Sequence, residues 1–235
     1  MGIFSFLFSS KKDSASLVSL KRSKLIGSKN GGYLSYFDLW SFWNSLPISS
    51  RNKVLTYYEE TPLMFDPKSI FRGNFNYPEN FKNQTPISIL NMLLVSDDIE
   101  LLDSCLNQFK EYSFEKYGFS YWIDSHFFIS NISRRAYRMF INEFCDNERF
   151  LNCFNFEYSN QKEIIKSLKK DDLFPVSNPI FEQYLIYLEK KKEYDKVIKF
   201  ANEFKGFGWK NKFDKRIERC VIKSKRIGVE LKGFG

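Results

Sequence analysis

Apolar positions recur along most of this chain at spacings of three and four, the period of an amphipathic helix. From Tyr36 to Leu46 the positions Phe37, Leu39, Trp40, Trp43 and Leu46 predict one helix, closed by Pro47. Ser49 or Ser50 then caps a second helix carrying Val54, Leu55, Tyr57 and Tyr58, which Thr61-Pro62 ends. Pro62, Pro67, Gly73 and Pro78 punctuate residues 61–84, so this aromatic-rich stretch reads as a long connection and a boundary within the chain. Thr85-Pro86 restarts helix, with Pro where its missing N–H costs nothing. Ile87, Leu90 and Leu94 follow at helical spacing. Asp97-x-x-Glu100 has the form of a capping box ahead of the stripe Leu102, Cys105, Leu106 and Phe109. The break at Val95–Asp97 makes an αα-hairpin of the two.

The longest helical pattern runs from Ile123 to Phe144 through Ile129, Ile132, Ala136, Met139 and Phe140, with Arg134, Arg135 and Arg138 opposite. Phe154, Phe156 and Tyr158 alternate with polar residues, which predicts an extended segment, and Asn160-x-x-Glu163 then caps a helix with Ile164, Ile165 and Leu168. Asn178-Pro179 starts another, whose Phe181, Tyr184, Leu185 and Leu188 form one face. Tyr194, Val197, Ile198, Ala201 and Phe204 form the next, ended by Gly206 and Gly208 through a left-handed backbone. A last helix turns Phe213, Ile217, Cys220 and Val221 inward and Lys212, Lys215, Arg216, Arg219 and Lys223 outward.

The stretch Leu188-Glu-Lys-Lys-Lys-Glu-Tyr-Asp-Lys-Val-Ile-Lys-Phe-Ala-Asn-Glu-Phe204 resembles the junction of a tetratricopeptide-like helix pair. Phe213-Asp-Lys-Arg-Ile-Glu-Arg219 is similar to the tail helix that often follows such a pair in bacterial proteins of this type. Leu185, Val197 and Phe204 stand where the repeat usually keeps small residues, so the paired helices would sit wider apart. The resemblance covers residues 178–204 and the tail helix. It implies a helical scaffold that binds another protein in a groove, and it carries over no catalytic residue. The expected architecture is therefore mainly α, with helical hairpins packed as an irregular tetratricopeptide-like, solenoid-like array beside a long aromatic loop region. Residues 1–35 are read as a basic irregular segment, 36–84 as a small helical and loop subdomain, 85–224 as the helical domain and 225–235 as a basic tail.

Composition narrows the classes. The chain has 235 residues, 43% hydrophobic and 27% charged, too apolar for disorder and ample for a core. Its 26 Phe, 13 Tyr and 4 Trp make the aromatic load unusual. Part of it falls in helical stripes and reads as core. The rest gathers in Tyr33–Trp43, Phe65–Phe81, Tyr117–Trp122 and Phe204–Phe213, where aromatics would serve packing between units or contact with a partner. Phe181, Tyr184, Tyr187, Tyr194, Phe204 and Trp209 are the partner-binding candidates.

Net charge is +8, concentrated at the two ends, with a mildly acidic middle. Basic ends attract phosphate backbones or acidic surfaces, or are solvated tails. The alternative reading is thus a nucleic-acid-binding accessory protein using Arg134, Arg135, Arg138, Lys212, Lys215, Arg216, Arg219 and Lys223. No apolar run reaches membrane-spanning length. The N-terminal Met1–Phe8 lacks the preceding charge of a secretory signal, and Phe6 stands where myristoylation wants Ser or Thr. It either docks Phe4, Leu7 and Phe8 on the body or touches a membrane, and the cytoplasm is the expected compartment. Gly27-Ser-Lys-Asn-Gly-Gly32 is not a phosphate-binding loop and reads as a flexible turn.

Catalytic signatures are missing from the pattern. His126, the one histidine, lies beside Phe127 and Phe128 and is expected in or near the core. Cys105, Cys145, Cys153 and Cys220 form no Cys-x-x-Cys pair, and most lie on apolar faces as small hydrophobes. The carboxylates at Glu59-Glu60, Asp97-Asp98-x-Glu100 and Asp171-Asp172 have no spacing that demands a metal. No cofactor is called for, and a non-enzymatic interaction protein is the leading expectation.

Overall fold

A computed structural model describes residues 24–26, 31–61, 68–72, 85–141, 148–174 and 176–226. Among them are twelve helices and no strand, as the all-α reading expects. The first four are short, apart from α3: α1 (Gly32–Tyr36), α2 (Trp40–Ser45), α3 (Ile48–Glu60) and α4 (Lys68–Phe71). The single helix expected from Tyr36 to Leu46 is two. Asp38 sits between them in the left-handed region, φ +56°, and Leu39 N–H turns back to the Leu34 carbonyl at 2.6 Å. Hydrophobic period is blind to this break because both halves bury the same side, Leu34 with Leu39 and Trp43.

α1 packs on α4, and Gly32 is the reason that it can. Its φ is +68°, and a Cβ there would lie 2.5 Å from the Ser69 carbonyl oxygen and 2.6 Å from that of Ile70. Only glycine satisfies both conditions. So the end of the glycine-rich stretch is a tight contact, where a flexible turn was expected; residues 27–30 lie outside the described ones. Trp43 and Tyr58 meet Phe71 edge-on, at 5.0 and 6.5 Å between ring centroids. α3 starts after Pro47 without a side-chain cap. Ser50, expected as a cap, instead donates to Asp98 Oδ2 at 3.1 Å.

α5 (Pro86–Leu93) and α6 (Ile99–Phe109) form the expected hairpin. Thr85 Oγ1 accepts from Ile87 N–H at 3.2 Å, and Asp124 Oδ2 takes both the hydroxyl and the N–H of Thr85. The cap of α6 is Asp98, accepting from Leu101 N–H at 3.1 Å, one residue later than the capping-box pattern places it. Asp97 is left outside to meet arginines. After the one-turn α7 (Phe114–Tyr117) come the two longest helices, α8 (Phe119–Ile141) and α9 (Glu148–Lys170), packed on each other as a hairpin.

Residues 154–158 are helical, inside α9, so the extended segment is corrected, and so is the cap at Asn160. The buried stripe of α9 runs Phe150, Cys153, Phe154, Glu157, Gln161, Ile164, Ile165, Leu168. Its helical period is complete only if Glu157 and Gln161 count as inside. Two polar residues in a buried stripe hide the helix from a hydrophobicity reading.

The last third follows its pattern closely: α10 (Pro179–Lys190), α11 (Tyr194–Gly206) and α12 (Phe213–Arg226). Asn178 Oδ1 accepts from the N–H groups of Ile180 and Phe181 at 3.0 and 3.3 Å, satisfying two orphan donors at the start of α10. Lys192 takes φ +61° in the tight turn to α11. Gly206 remains helical, and Gly208, φ +93°, supplies the left-handed turn after α11. α10 packs on α8, α9 and α11, and α11 on α12, so the second hairpin lies against the first. Leu185, Val197 and Phe204, the large residues at small-residue positions, are all fully buried.

Candidate functional site

The aromatic partner-binding candidates are placed inside. Phe181 and Phe204 are fully buried and stack on each other, centroids 4.0 Å apart and planes 9° from parallel. Tyr187, Tyr194 and Trp209 are buried as well. Tyr184 is half-buried, stacked on Phe154 at 3.5 Å. These side chains join α9, α10 and α11 into one core, so a groove lined by them is closed by their own packing. Burial of each such side chain stabilises by about 2–3 kcal/mol, which the helix stripes alone explain.

The basic candidates divide by whether a carboxylate holds them. Arg135 and Arg138 both reach Asp97 Oδ1, at 3.1 and 2.6 Å, and Arg135 also donates to the Leu94 carbonyl. Arg216, Arg219 and Lys223 converge on Glu189 at 2.8, 2.6 and 2.8 Å. The Glu189 side chain is only 9% exposed. Burial pushes its carboxyl up, but hydrogen bonds from Lys223 and Arg219, and their charges, overcome that and hold it below the usual carboxylate range. This cluster clamps α12 on α10 beside a hollow of about 360 Å³. Arg134, Lys212 and Lys215 are exposed and make no ion pair among the described residues.

His126 is buried as expected, 2% exposed, but it is not a passive core residue. Its Nδ1 lies 2.6 Å from Glu157 Oε1, and the Glu157 side chain is 0% exposed. Asn178 Nδ2 donates to the same oxygen at 2.7 Å. One proton lies between Nδ1 and Oε1 in this contact. Asn178 thereby does two things: its oxygen caps α10 and its amide nitrogen ties that cap to α9. Asn211 closes the ring, accepting from Asn178 N–H and donating to its carbonyl. Trp209 stacks on the imidazole at 5.6 Å. Glu157 Oε2 and Trp209 Nε1 are buried without a hydrogen-bond partner.

The other edge of His126 belongs to a cavity of about 490 Å³. It lies where α5, α8 and the start of α10 meet, lined by Asn91, His126, Ser130, Arg134, Phe127 and Ser177 among others. His126, Ser130 and Arg134 are four residues apart in turn, hence on one face of α8. That spacing was legible in the sequence. What was missed is Glu157, whose signal is a carboxylate at a stripe position of α9.

Ser130 is 6% exposed, and its Oγ bonds to nothing, His126 included. A nucleophile activated by this histidine would need that bond. The arrangement is suited to holding a ligand. A larger cavity, about 560 Å³ beside Lys53 and Asp98, has Lys53 paired to Asp98 at 2.7 Å and Asp97 to two arginines, and Glu100 in its lining makes no ion pair among the described residues.

Cys105, Cys153 and Cys220 are buried and unpaired, and Cys145 lies outside the described residues. Burial raises the Cys153 thiol to about 12 and that of Cys220 to about 11, so neither is a thiolate near neutral pH. Among the described residues no three His, Cys, Asp or Glu side chains group to hold a metal ion, and no helix is long and apolar enough to cross a membrane. Comparison with protein-family models, curated proteins and solved structures finds no match.

Proposed function

We propose that this chain is a non-enzymatic, tetratricopeptide-like helical adaptor that binds another protein, and that it engages the partner at the polar pocket between its two large hairpins. One observation carries the reading. At the junction of α8–α9 with α10–α11, polar side chains remain without partners inside the chain, whereas the aromatic faces of those same hairpins are filled by one another. Unmatched buried polar groups cost stability, and a bound partner would match them. Phe127, 42% exposed on the rim, adds apolar contact area.

The test is capture of a partner from native cells by the intact chain, beside Arg134→Glu and Phe127→Ala. Capture by the wild type, lost in Arg134→Glu and weakened in Phe127→Ala, supports the reading. Equal capture by all three, or none, overturns it.

Nucleic-acid binding through α12 is the second reading, favoured by the unpaired Lys212 and Lys215. It requires DNA or RNA affinity at about 50 mM salt that falls steeply as salt rises. Its weakness is that Arg216, Arg219 and Lys223 are already neutralised in part by Glu189.

A further inference from the structure

Most of the atoms left open in the pocket are hydrogen-bond donors. Arg135 Nε can only donate, and it donates to Asn131 Oδ1 at 3.1 Å. That fixes the Asn131 amide, so its Nδ2 faces Asn91, at 2.9 Å from Asn91 Oδ1. Asn91 therefore presents its NH2 as the open end. Both amide oxygens are used, and so is Glu157 Oε1. Besides the His126 ring edge, what remains can donate: the Asn91 amide, the Ser130 hydroxyl and the five N–H bonds of Arg134, which has no carboxylate partner among the described residues. Ser177 and Pro179 place the positive end of the twelve-residue α10 at the same wall. The Glu157 carboxyl is fully buried behind the imidazole and bonded to it.

We propose that this pocket receives a single oxyanion group, a carboxylate or phosphate, with Arg134 as its counter-charge and Ser130 and Asn91 as donors beneath it. The inference rests on reading the pocket as the site of recognition and names the chemistry recognised there. His126 Nε2 makes no protein hydrogen bond. It is the ring atom left open to the ligand. Phe127, Val176 and Pro179 form an apolar wall, so the oxyanion is expected on an organic body. The volume suits a small ligand or one side chain of a partner.

Phenyl phosphate is the probe, titrated into the intact protein and followed by calorimetry and by the NMR signals of the His126 ring and Asn91 amide. Benzyl alcohol is the neutral control. Acetyl-glutamate amide, as competitor, tells an acidic partner side chain from a free phosphate ester. Phenyl phosphate should bind at least ~10-fold tighter than benzyl alcohol, the worth of a charge-assisted hydrogen bond. Arg134→Gln should remove that margin, and Ser130→Ala should weaken binding without loss of stability. Lys162→Gln on α9 should change affinity less than about twofold. Competition by the glutamate compound assigns the group to a partner protein, and its absence assigns it to a small phosphate ester; both uphold the oxyanion site.

Equal affinity for phenyl phosphate and benzyl alcohol overturns it, as does an equal loss in Arg134→Gln and Lys162→Gln. The two readings fail separately. Phenyl phosphate held by Arg134 in a protein that captures no partner removes only the adaptor. A partner captured without any oxyanion affinity removes only the oxyanion site.

Discussion

Two carboxylates sit at hairpin junctions in this molecule, and their surroundings are opposite. Glu189 gathers Arg216, Arg219 and Lys223 from the facing helix, so both of its oxygens are used. Glu157 gathers His126 and Asn178 on one oxygen and leaves the other bare in the core, next to a cavity whose donors are also open. The first arrangement is complete and its effect is to hold a helix in place. The second is incomplete within the chain. Buried polar groups are normally matched, so the open donors of that cavity, and not the bare Glu157 oxygen, are where an oxyanion is to be looked for, although the other junction has more charge.

Breaking the complete junction should have the largest effect. Glu189→Ala leaves three cations facing each other and should cost about 2–3 kcal/mol in chemical denaturation, toward the low side for a broken ion pair because two partners are half-exposed. Acid should act on the same place. A carboxyl whose folded pKa is depressed contributes stability above its unfolded value, about 4.3, and loses it as pH falls through the folded value. Amide exchange in α12 should therefore quicken below about pH 4, ahead of α8 and α9. An α12 that stays protected there would show that Phe213 and Cys220 hold it alone.

At the incomplete junction, Asn178→Ala removes the cap of α10 and its tie to Glu157, and should cost about 2 kcal/mol. Ser130→Ala has the opposite sign. Deleting an unpaired buried hydroxyl should raise stability by up to about 1 kcal/mol, while phenyl phosphate affinity falls. A loss of stability would mean that the hydroxyl is matched already. Arg134→Gln should shift the unfolding midpoint least, within about 0.5 kcal/mol, as for an exposed unpaired side chain.

The contrast also shows what a sequence displays. α10 to α12 were legible because Asn178-Pro179, the turn at Lys191–Glu193 and the apolar stripes agree with one another. α9 was half-read because Glu157 and Gln161 break its stripe, and they break it for the very reason that makes the junction of interest. The two-helix form of residues 32–45 was invisible, since Asp38 is not a residue type that demands a left-handed backbone. For the site, the four-residue rhythm of His126, Ser130 and Arg134 was there to be seen. Its meaning was not, because that depends on which distant carboxylate lies behind the imidazole. The aromatic candidates failed as a surface for a simple reason: a helix stripe says which residues share a face, and says nothing of whether another helix covers it.

Most helices here rest on neighbours in the chain: α8 on α9, α10 on α11, α11 on α12. Such short loops to close favour fast folding, in the microsecond to millisecond range for small helical domains. The glycine contact is of longer range, as are those of α5 and α10 with α8. α1 meets α4 through Gly32, and that encounter must close a loop of more than thirty residues onto a backbone with no room for error. A side chain at position 32 would therefore part α1 from α4 by meeting the carbonyls of the latter.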